Sequence, residues 1–237
     1  MISDPISVFP VIAVTGLLAE ARIAAGTGVR AIAGAGDGGG LARALERELA
    51  HGARAVISFG IAGGLIDEIA AGASLVARAI VTPETRWPCD AEWAAAIAAR
   101  LPAAIVADLA GVDRPVMASA AKRALHRATG AVAVDTESHI AAAIAAKHSL
   151  PFVAFRVVAD SARRSLPPVA AVALAFDGKL RHAAVLASLA RAPAQIPSVV
   201  RTAVDARRAL RALLRDRRRL GLGFACPDLD QRVLDVS

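Results

Sequence analysis

Short apolar runs alternate with helix-forming segments along most of this chain, and that alternation constrains its fold more than any other feature of the sequence. Runs with the length of strands cover residues 11–15, 29–33, 55–59, 75–81, 104–107, 131–134 and 152–158. Helical patterns cover residues 41–51, 91–100, 118–127, 137–148 and about 197–220. Such alternation is typical of a largely parallel sheet with helices on both faces. We therefore expect an α/β fold.

The length of the chain matches what one hydrophobic core supports, because chains divide into domains mainly beyond roughly 250 residues. The chain has 237 residues, and it contains no linker long enough to separate two domains. We expect a single domain over residues 1–237, with an Arg-rich helix at about 197–220 and a short tail at 221–237.

The sequence also favours a cytoplasmic location. Met1–Pro10 lacks the basic segment followed by an apolar run that marks a secretory signal. Uncharged stretches such as Ser165–Phe176 fall short of the ~18 apolar residues that cross a bilayer.

The cysteines and histidines show none of the spacings that build metal or redox sites. Cys89 and Cys226 lie far apart, and the five histidines are scattered. We expect no metal and no bound cofactor.

Positive charge is concentrated near the C-terminus, where residues 201–220 hold eight arginines against two aspartates. A helical wheel puts Arg201, Arg208, Arg211 and Arg215 opposite or beside an apolar side. That side comprises Val199, Ala203, Ala206, Leu210, Leu213 and Leu214. The pattern predicts an amphipathic helix whose cationic face is either solvated or in contact with an anionic membrane surface.

The segment Gly34-Ala-Gly36-Asp-Gly-Gly39 matches the dinucleotide-binding fingerprint. That fingerprint also needs an acid at the end of the next strand to hold the ribose, but this strand ends Ser58-Phe59-Gly60. We therefore interpret the segment as a Gly-rich turn that faces another ligand or allows tight packing.

A second Gly-rich segment, Gly60-Ile61-Ala62-Gly63-Gly64, directly follows a buried-looking strand. We expect a turn there, whose backbone N–H groups can face anions or sugar hydroxyls. A close-packed turn without a ligand is equally compatible with the sequence.

A carboxylate follows the next-to-last strand, in the segment Asp135-Thr136-Glu137-Ser138-His139. Glu137 is predicted in the first turn of a helix, where capping is the ordinary role. Its two oxygens can also accept both hydroxyls of a ribose and stabilise a sugar that becomes cationic as its base departs.

Asp160 follows the last strand, which also carries Arg156. Apolar surroundings raise the pKa of a carboxyl group, which can then protonate a leaving base. A turn or helix cap is the alternative role.

Taken in order, these segments resemble the purine nucleoside phosphorylase and nucleosidase family, which includes methylthioadenosine/S-adenosylhomocysteine nucleosidase. The resemblance covers nearly the whole chain. It is carried by Glu20 and by residues 34–40, 60–64, 136–138 and 156–160. It implies a single domain with a mixed, largely parallel central sheet flanked by helices, and assembly as a homo-oligomer.

The resemblance also implies roles for individual residues. Asp160 would protonate the imidazole-ring nitrogen of the purine, Glu137 would bind the ribose hydroxyls, and Glu20 would help to orient water. The implied substrate-binding residues, with Met117 and Ser119 in a loop over the base, are Gly60, Ile61, Gly63, Gly64, Met117, Ser119, Thr136 and Arg156.

Within this family the chain is most similar to the hopanoid-associated branch, which acts on adenosylhopane. The similarity lies in Asp135–His139, Leu150–Phe152, Arg156–Asp160 and Leu166–Pro168. It implies a purine nucleoside linked to a lipid as substrate. The Arg201–Arg219 segment could then hold the enzyme at the inner face of the membrane.

Two departures from the family pattern leave the nucleophile open. Ile61 stands where nucleosidases often carry a hydroxyl, and Thr136 replaces the usual Met. Glu20 favours water. Phosphorolysis, with phosphate as co-substrate, would need a dianion pocket built from Gly amides and from arginines such as Arg22, Arg30 or Arg78.

A protein that binds nucleosides or nucleic acid without catalysis is the alternative of another class. The Arg-rich helix favours it, but aromatic residues make up only 3% of the chain, which disfavours base stacking. Nucleic acid is therefore not the expected partner.

Overall fold

The computed structural model describes residues 9–34, 36–167 and 195–227. The strands are β1 (Val11–Thr15), β2 (Val29–Ala33), β3 (Ala55–Gly64), β4 (Ser74–Val81), β5 (Arg86–Pro88), β6 (Ile105–Gly111), β7 (Ala133–Asp135) and β8 (Phe152–Asp160). The helices are α1 (Leu18–Ala24), α2 (Gly38–Ala50), α3 (Ala91–Arg100), α4 (Ser119–Thr129), α5 (Ser138–Lys147) and α6 (Ile196–Leu220). The predicted α/β class is confirmed.

The strands form one mixed sheet in the order β2-β1-β3-β7-β6-β4-β5. Strand β8 pairs in parallel with β3 and antiparallel with β4. Because β3 also pairs with β7, and β7, β6 and β4 pair in succession, these five strands close into a ring. The ring brings the carboxyl ends of β3 and β8 beside β7, which is where a site can form.

Small apolar side chains fill the core, which explains the richness of the sequence in Ala and Val. Every residue of β1 is buried, and in β8 all residues but the last are buried. Larger groups fill the space where helices cross the sheet, and Trp93 of α3 donates a 2.9 Å hydrogen bond from Nε1 to the carbonyl of Phe224. Helices can therefore pack closely against the small side chains of the sheet.

The segment Gly60–Gly64 is not the turn that the sequence predicted, because it forms the end of β3. It pairs with β8 as far as the register of Gly63 with Asp160, with an irregularity between Ala62 and Gly63. The glycines allow a strand to run through this crowded region, since a Cβ on Gly60 would lie 2.5 Å from Arg156 Nη1. The prediction failed because glycine was interpreted only as a turn residue.

Helix α6 occupies the predicted segment, but its predicted apolar side was wrong in part. The buried residues are Ala209, Ala212, Leu213, Asp216 and Leu220, whereas Ala203 and Leu214 are exposed. The prediction counted only apolar residues, whereas the buried side of the helix includes Asp216, which accepts a hydrogen bond from the hydroxyl of Ser74. No helix in the described part of the chain is long and apolar enough to cross a membrane.

Candidate active site

A cavity of about 300 Å³ opens at the carboxyl ends of β1, β3, β7 and β8. The three residues predicted to be catalytic, Glu20, Glu137 and Asp160, all line it. Its apolar side chains include Leu17, Leu41, Ile61, Val112, Pro115, Val116, Val134, Ile140 and Leu166. The structure therefore brings together carboxyl groups that are separated by 140 positions in the sequence, in a largely apolar enclosure.

Arg156 lies behind the wall of the cavity and does not line it. Its side chain is fully buried, with Nε 2.7 Å from Asp135 Oδ2 as an ion pair. Nη2 donates a 2.6 Å hydrogen bond to Ser58 Oγ and lies 3.5 Å from Glu137 Oε2. Although burial opposes its charge, these carboxylates raise the pKa of the guanidinium. Arg156 therefore contacts the acids of the site from behind the cavity wall. The family resemblance implied that Arg156 binds substrate, but its side chain does not reach the cavity.

Asp135, which the sequence analysis did not assign to the site, caps the helix that carries Glu137. Its Oδ1 accepts hydrogen bonds from the backbone N–H groups of Glu137, at 2.9 Å, and Ser138, at 2.7 Å. The capping role expected for Glu137 is thereby taken by its neighbour. Ser138 Oγ donates to Asp135 Oδ2 and lies 2.9 Å from Ser58 Oγ. The carboxylate of Glu137 remains available to the cavity.

Glu137 faces the cavity between a buried cation and a hydroxyl. Burial is the main reason that its pKa is raised, and Arg156 acts in the opposite direction. Thr136 Oγ1 donates to Glu137 Oε1. A Cβ on Gly16 would lie 2.9 Å from the same oxygen, so the loop after β1 must carry glycine for Glu137 to occupy this position.

Glu20 lies on α1 with its carboxylate held by three backbone N–H groups. Oε2 accepts from Gly16 at 2.9 Å and from Leu17 at 2.8 Å, and Oε1 accepts from Ile61 at 2.8 Å. Burial, opposed by Arg156 and reinforced by the charge of Glu137, raises the pKa of Glu20 to about 7. A carboxyl group with that pKa exchanges a proton readily at neutral pH.

Asp160 ends β8, and its carboxylate contacts a lysine that the sequence analysis missed. Lys122 of α4 forms an ion pair with Asp160 Oδ2. Burial raises the pKa of Asp160, and Lys122 is the main influence that lowers it. A Cβ on Gly63 would lie 3.2 Å from Asp160 Oδ1, and a Cβ on Gly64 would lie 3.0 Å from the Asp160 carbonyl oxygen. Both glycines therefore make room for this acid.

The other predicted binding residues divide into two groups. Ile61, Gly63 and Thr136 line the cavity, whereas Gly60 and Gly64 do not. Met117 and Ser119 also lie away from it. The cavity is instead bordered by the preceding residues Val112, Asp113, Pro115 and Val116. The residues that border the cavity therefore begin five positions before Met117, and a loop over the base stays a prediction.

The fingerprint-like glycines border the same cavity, since Gly34, Gly36 and Gly38 are part of its lining. Asp37 caps α2 by accepting a 2.9 Å hydrogen bond from Gly40 N–H. A Cβ on Gly34 would lie 3.0 Å from Leu41 Cδ2. The turn therefore packs tightly at Gly34, and the role of its glycines toward a ligand stays a prediction.

The arginines suggested for a phosphate pocket lie elsewhere. Arg30 pairs with Glu48 at 2.8 Å, and Arg78 lies 3.6 Å from Asp108. Neither these residues nor Arg22 line the cavity. Among the residues that the structure describes, no group of three or more His, Cys, Asp or Glu could hold a metal ion.

Comparisons with known proteins agree with this architecture. The sequence model of the phosphorylase superfamily matches residues 10–205. The fold is similar to the 5′-methylthioadenosine/S-adenosylhomocysteine nucleosidase of Helicobacter pylori, with 17% identity, a TM-score of 0.60 and coverage of 78% of this chain and 98% of that one. No significant match was found among curated protein sequences.

Two further solved structures have the same fold. The S-adenosylhomocysteine nucleosidase of Streptococcus pyogenes, in complex with 5-methylthiotubericidin, is 15% identical, with a TM-score of 0.59 and coverage of 88% of this chain and 96% of that one. Futalosine hydrolase of Helicobacter pylori is 16% identical, with a TM-score of 0.55 and coverage of 64% and 88%, respectively.

Proposed function

This chain is an enzyme of the phosphorylase superfamily, and we propose that it cleaves the N-glycosidic bond of an adenine-type purine nucleoside and releases the base. The observation that carries the proposal is the convergence of Glu20, Glu137 and Asp160 on one cavity, each with a raised pKa. Carboxyl groups with raised pKa values in a shared cleft are typical of catalytic sites. The solved structures of similar fold, which include nucleosidases, support the choice of bond.

Asp160 is the proposed general acid. Burial raises the pKa of Asp160 and so favours the protonated form, which can donate to the imidazole-ring nitrogen of the departing purine. Protonation of that nitrogen removes negative charge from the leaving base as the bond to the sugar lengthens. The apolar side chains beside Asp160, such as Val116 and Leu166, suit the face of a purine.

Glu137 is the proposed sugar clamp. A carboxylate can accept hydrogen bonds from both ribose hydroxyls, and it stabilises the positive charge that develops on the sugar. The contacts with Arg156 and Thr136 favour the ionised form of Glu137. The proton that burial favours in this region can reside on Glu20, since the two acids repel each other when both are charged.

Water is the proposed nucleophile, with Glu20 as the group that orients it and accepts its proton. The pKa of about 7 for Glu20 suits this exchange at neutral pH. A phosphate dianion would enter a cavity that is lined by six acidic residues and by none of the arginines Arg22, Arg30 and Arg78. The balance of charge therefore favours hydrolysis, and phosphorolysis, giving a ribose 1-phosphate product, is the alternative.

The proposed substrate carries a modified 5′ position, as in adenosylhopane of hopanoid lipid synthesis. The similarity of Asp135–His139 and Arg156–Asp160 to the hopanoid-associated branch supports this choice. Apolar residues such as Leu17, Leu41 and Ile140 supply surface for an apolar substituent. Part of the supporting pattern, Pro168, lies outside the described residues.

A lipid-linked substrate would favour contact between the enzyme and a membrane, and the exposed face of α6 supports such a contact. At helical spacing that face carries Val200, Val204, Arg207, Arg211, Leu214 and Arg218, all of which are exposed. Apolar side chains interleaved with arginines are typical of helices that lie in an anionic interface. The peripheral location is therefore part of the proposal.

The proposal is tested by incubating the purified enzyme with adenosine, methylthioadenosine, adenosylhopane, inosine and uridine and measuring the free base by chromatography. We expect release of adenine, fastest from the nucleoside with the large apolar 5′ group, and none of uracil. Equal rates for adenosine and adenosylhopane would contradict the substrate assignment alone. Absence of base release from every nucleoside would contradict the activity.

A further inference from the structure

The side chain of Lys122 is fully buried, which lysine almost never is unless it is paired. It lies on α4, where the other residues are exposed or only half-buried. Its ammonium contacts Asp160 Oδ2, and it donates to the carbonyl oxygens of Ser161 at 3.1 Å and Arg164 at 3.2 Å. All three acceptors belong to the end of β8 and the residues that follow it.

An ammonium group has three hydrogens, and these three acceptors match that number. The residues after β8 are therefore tied to α4 at three points. One oxygen of the Asp160 carboxylate is held in this pairing. The other, Oδ1, lies closer to the Cβ position of Gly63, at 3.2 Å against 3.7 Å for Oδ2, and Gly63 lines the cavity.

We propose that Lys122 is a positioning residue for the acid step: it holds Asp160 Oδ2 against α4 and thereby makes Oδ1 the oxygen that carries the proton toward the base. The inference deepens the proposed function and rests on it. Lys122 does not line the cavity, so it acts through Asp160 and has no contact with substrate. No oxygen of Asp160 is free to exchange roles while the ammonium is in place.

A lysine that only tied the loop to the helix would be a simpler explanation, and the two differ in whether the effect of Lys122 on the rate depends on the Asp160 carboxyl. The charged groups that face Asp160 are Lys122 from α4, Arg164 from the segment after β8, and Asp205 from α6. Lys122 is the largest of the influences that lower the pKa of this acid, against the effect of burial. Removing the ammonium must therefore raise the pKa of Asp160 further in either case. If Lys122 acts through the Asp160 carboxyl, its removal slows the reaction only while that carboxyl is present, whereas loss of a mere tie would also slow Asp160→Asn.

The test uses the full-length enzyme with Lys122→Met, and with Lys122→Arg as the variant that keeps the charge. Lys122→Gln is the second neutral variant, because its amide can still donate to the two carbonyl oxygens if Met unfolds the chain. The titration of the Asp160 carboxyl is followed by carbon-13 NMR, and its signal is assigned by its absence in Asp160→Asn. This readout needs no turnover, so it separates the role of Lys122 from the proposed activity.

We expect the neutral variants to titrate at least about one pH unit higher at Asp160, since an opposite charge at contact lowers a carboxyl pKa by about 1–3 units. With a nucleoside substrate, the alkaline limb of kcat should move by the same amount, while kcat falls at least tenfold and KM changes little. Lys122→Arg should keep the wild-type limb. In an Asp160→Asn background, Lys122→Gln should cost no further rate.

An Asp160 titration that is unchanged in a folded neutral variant would overturn the proposal, even if activity were lost. A loss of rate that is as large in the Asp160→Asn background as in the wild type would overturn it equally. Absence of turnover in the wild-type enzyme would count against the proposed function, and the NMR titration would still decide the pairing.

Discussion

Arg156 Nε lies 2.7 Å from Asp135 Oδ2, and both side chains are almost completely removed from solvent. The same guanidinium reaches Ser58 and Glu137, while Asp135 caps the helix on which Glu137 lies. One buried ion pair thus fixes both the position and the electrostatic surroundings of the proposed sugar clamp. Loss of this ion pair should therefore lower the free energy of unfolding.

The variant Asp135→Asn should destabilise the fold by about 3 kcal/mol, because breaking one side of a buried ion pair leaves a charge poorly compensated. Glu20 and Glu137 remain near Arg156 and limit the loss. Chemical denaturation measures it. The matched control is Asp37→Asn, which alters a helix cap with an exposed side chain. Equal, small losses in both variants would show that the pair contributes little.

The variant Glu137→Gln should lower kcat by about 10²–10³, as expected when one preorganised electrostatic contact to a transition state is lost. The substitution retains the shape but removes the charge, so KM should change much less than kcat. Steady-state kinetics on a nucleoside substrate measure both constants, with exposed Glu68→Gln as the control. A change confined to KM would make Glu137 a binding group only.

The raised pKa of Glu20 predicts that the stability of the fold depends on pH. Its pKa is raised in the folded chain from 4.5 to about 7, so folding favours the protonated form. The stabilising contribution is complete below pH 4.5 and is lost as the pH rises through about 7. It is worth about 3 kcal/mol as an upper estimate.

The variant Glu20→Gln should remove that contribution at all pH values, although it also leaves Ile61 N–H without its acceptor. The difference in unfolding free energy between wild type and variant should therefore shrink as the pH rises from 4.5 to 7. Denaturant titrations at several pH values measure it, with exposed Glu92→Gln as the control. A difference that is constant with pH would contradict the buried, shifted acid.

The exposed face of α6 predicts binding to anionic vesicles that weakens with salt. Replacing Arg207, Arg211 and Arg218 by Gln should weaken binding on the order of 100-fold, since each basic residue contributes about 1 kcal/mol near such a surface. Activity on a soluble nucleoside should be retained. The control replaces Arg22, Arg47 and Arg127, which are exposed on other elements. Sedimentation with vesicles at low salt is the measurement, and no binding by the wild type would dismiss the membrane contact.

Much of the fold could be predicted because strands and helices leave a direct mark on the sequence. The buried strand 152–158 is a continuous apolar run, and acids that follow such runs must lie at the carboxyl edge of the sheet. For that reason Glu137 and Asp160, which both line the cavity, could be proposed as site residues before their positions were known. The resemblance to a family added Glu20, whose helix has only seven residues and gives a weak pattern.

What could not be predicted depends on contacts between distant segments. Lys122 belongs to a helix whose pattern suggests a solvated face, and only the arrival of Asp160 explains its burial. Asp135 looks like an ordinary cap until Arg156 is placed beside it. The glycines 60–64 were interpreted as a turn, because nothing local shows that β8 continues to pair with them.

Adenine release in phosphate-free buffer tests the central claim most directly, with wild type and Asp160→Asn compared on the same adenine nucleoside, with and without added phosphate. The account predicts the same wild-type rate in both buffers, a free ribosyl sugar as product, and a loss of at least about 10² in rate for Asp160→Asn, in line with general-acid contributions. Release that depends strictly on phosphate, with a phosphorylated sugar as product, would contradict hydrolysis. Turnover by Asp160→Asn near the wild-type rate would contradict the assignment of the acid.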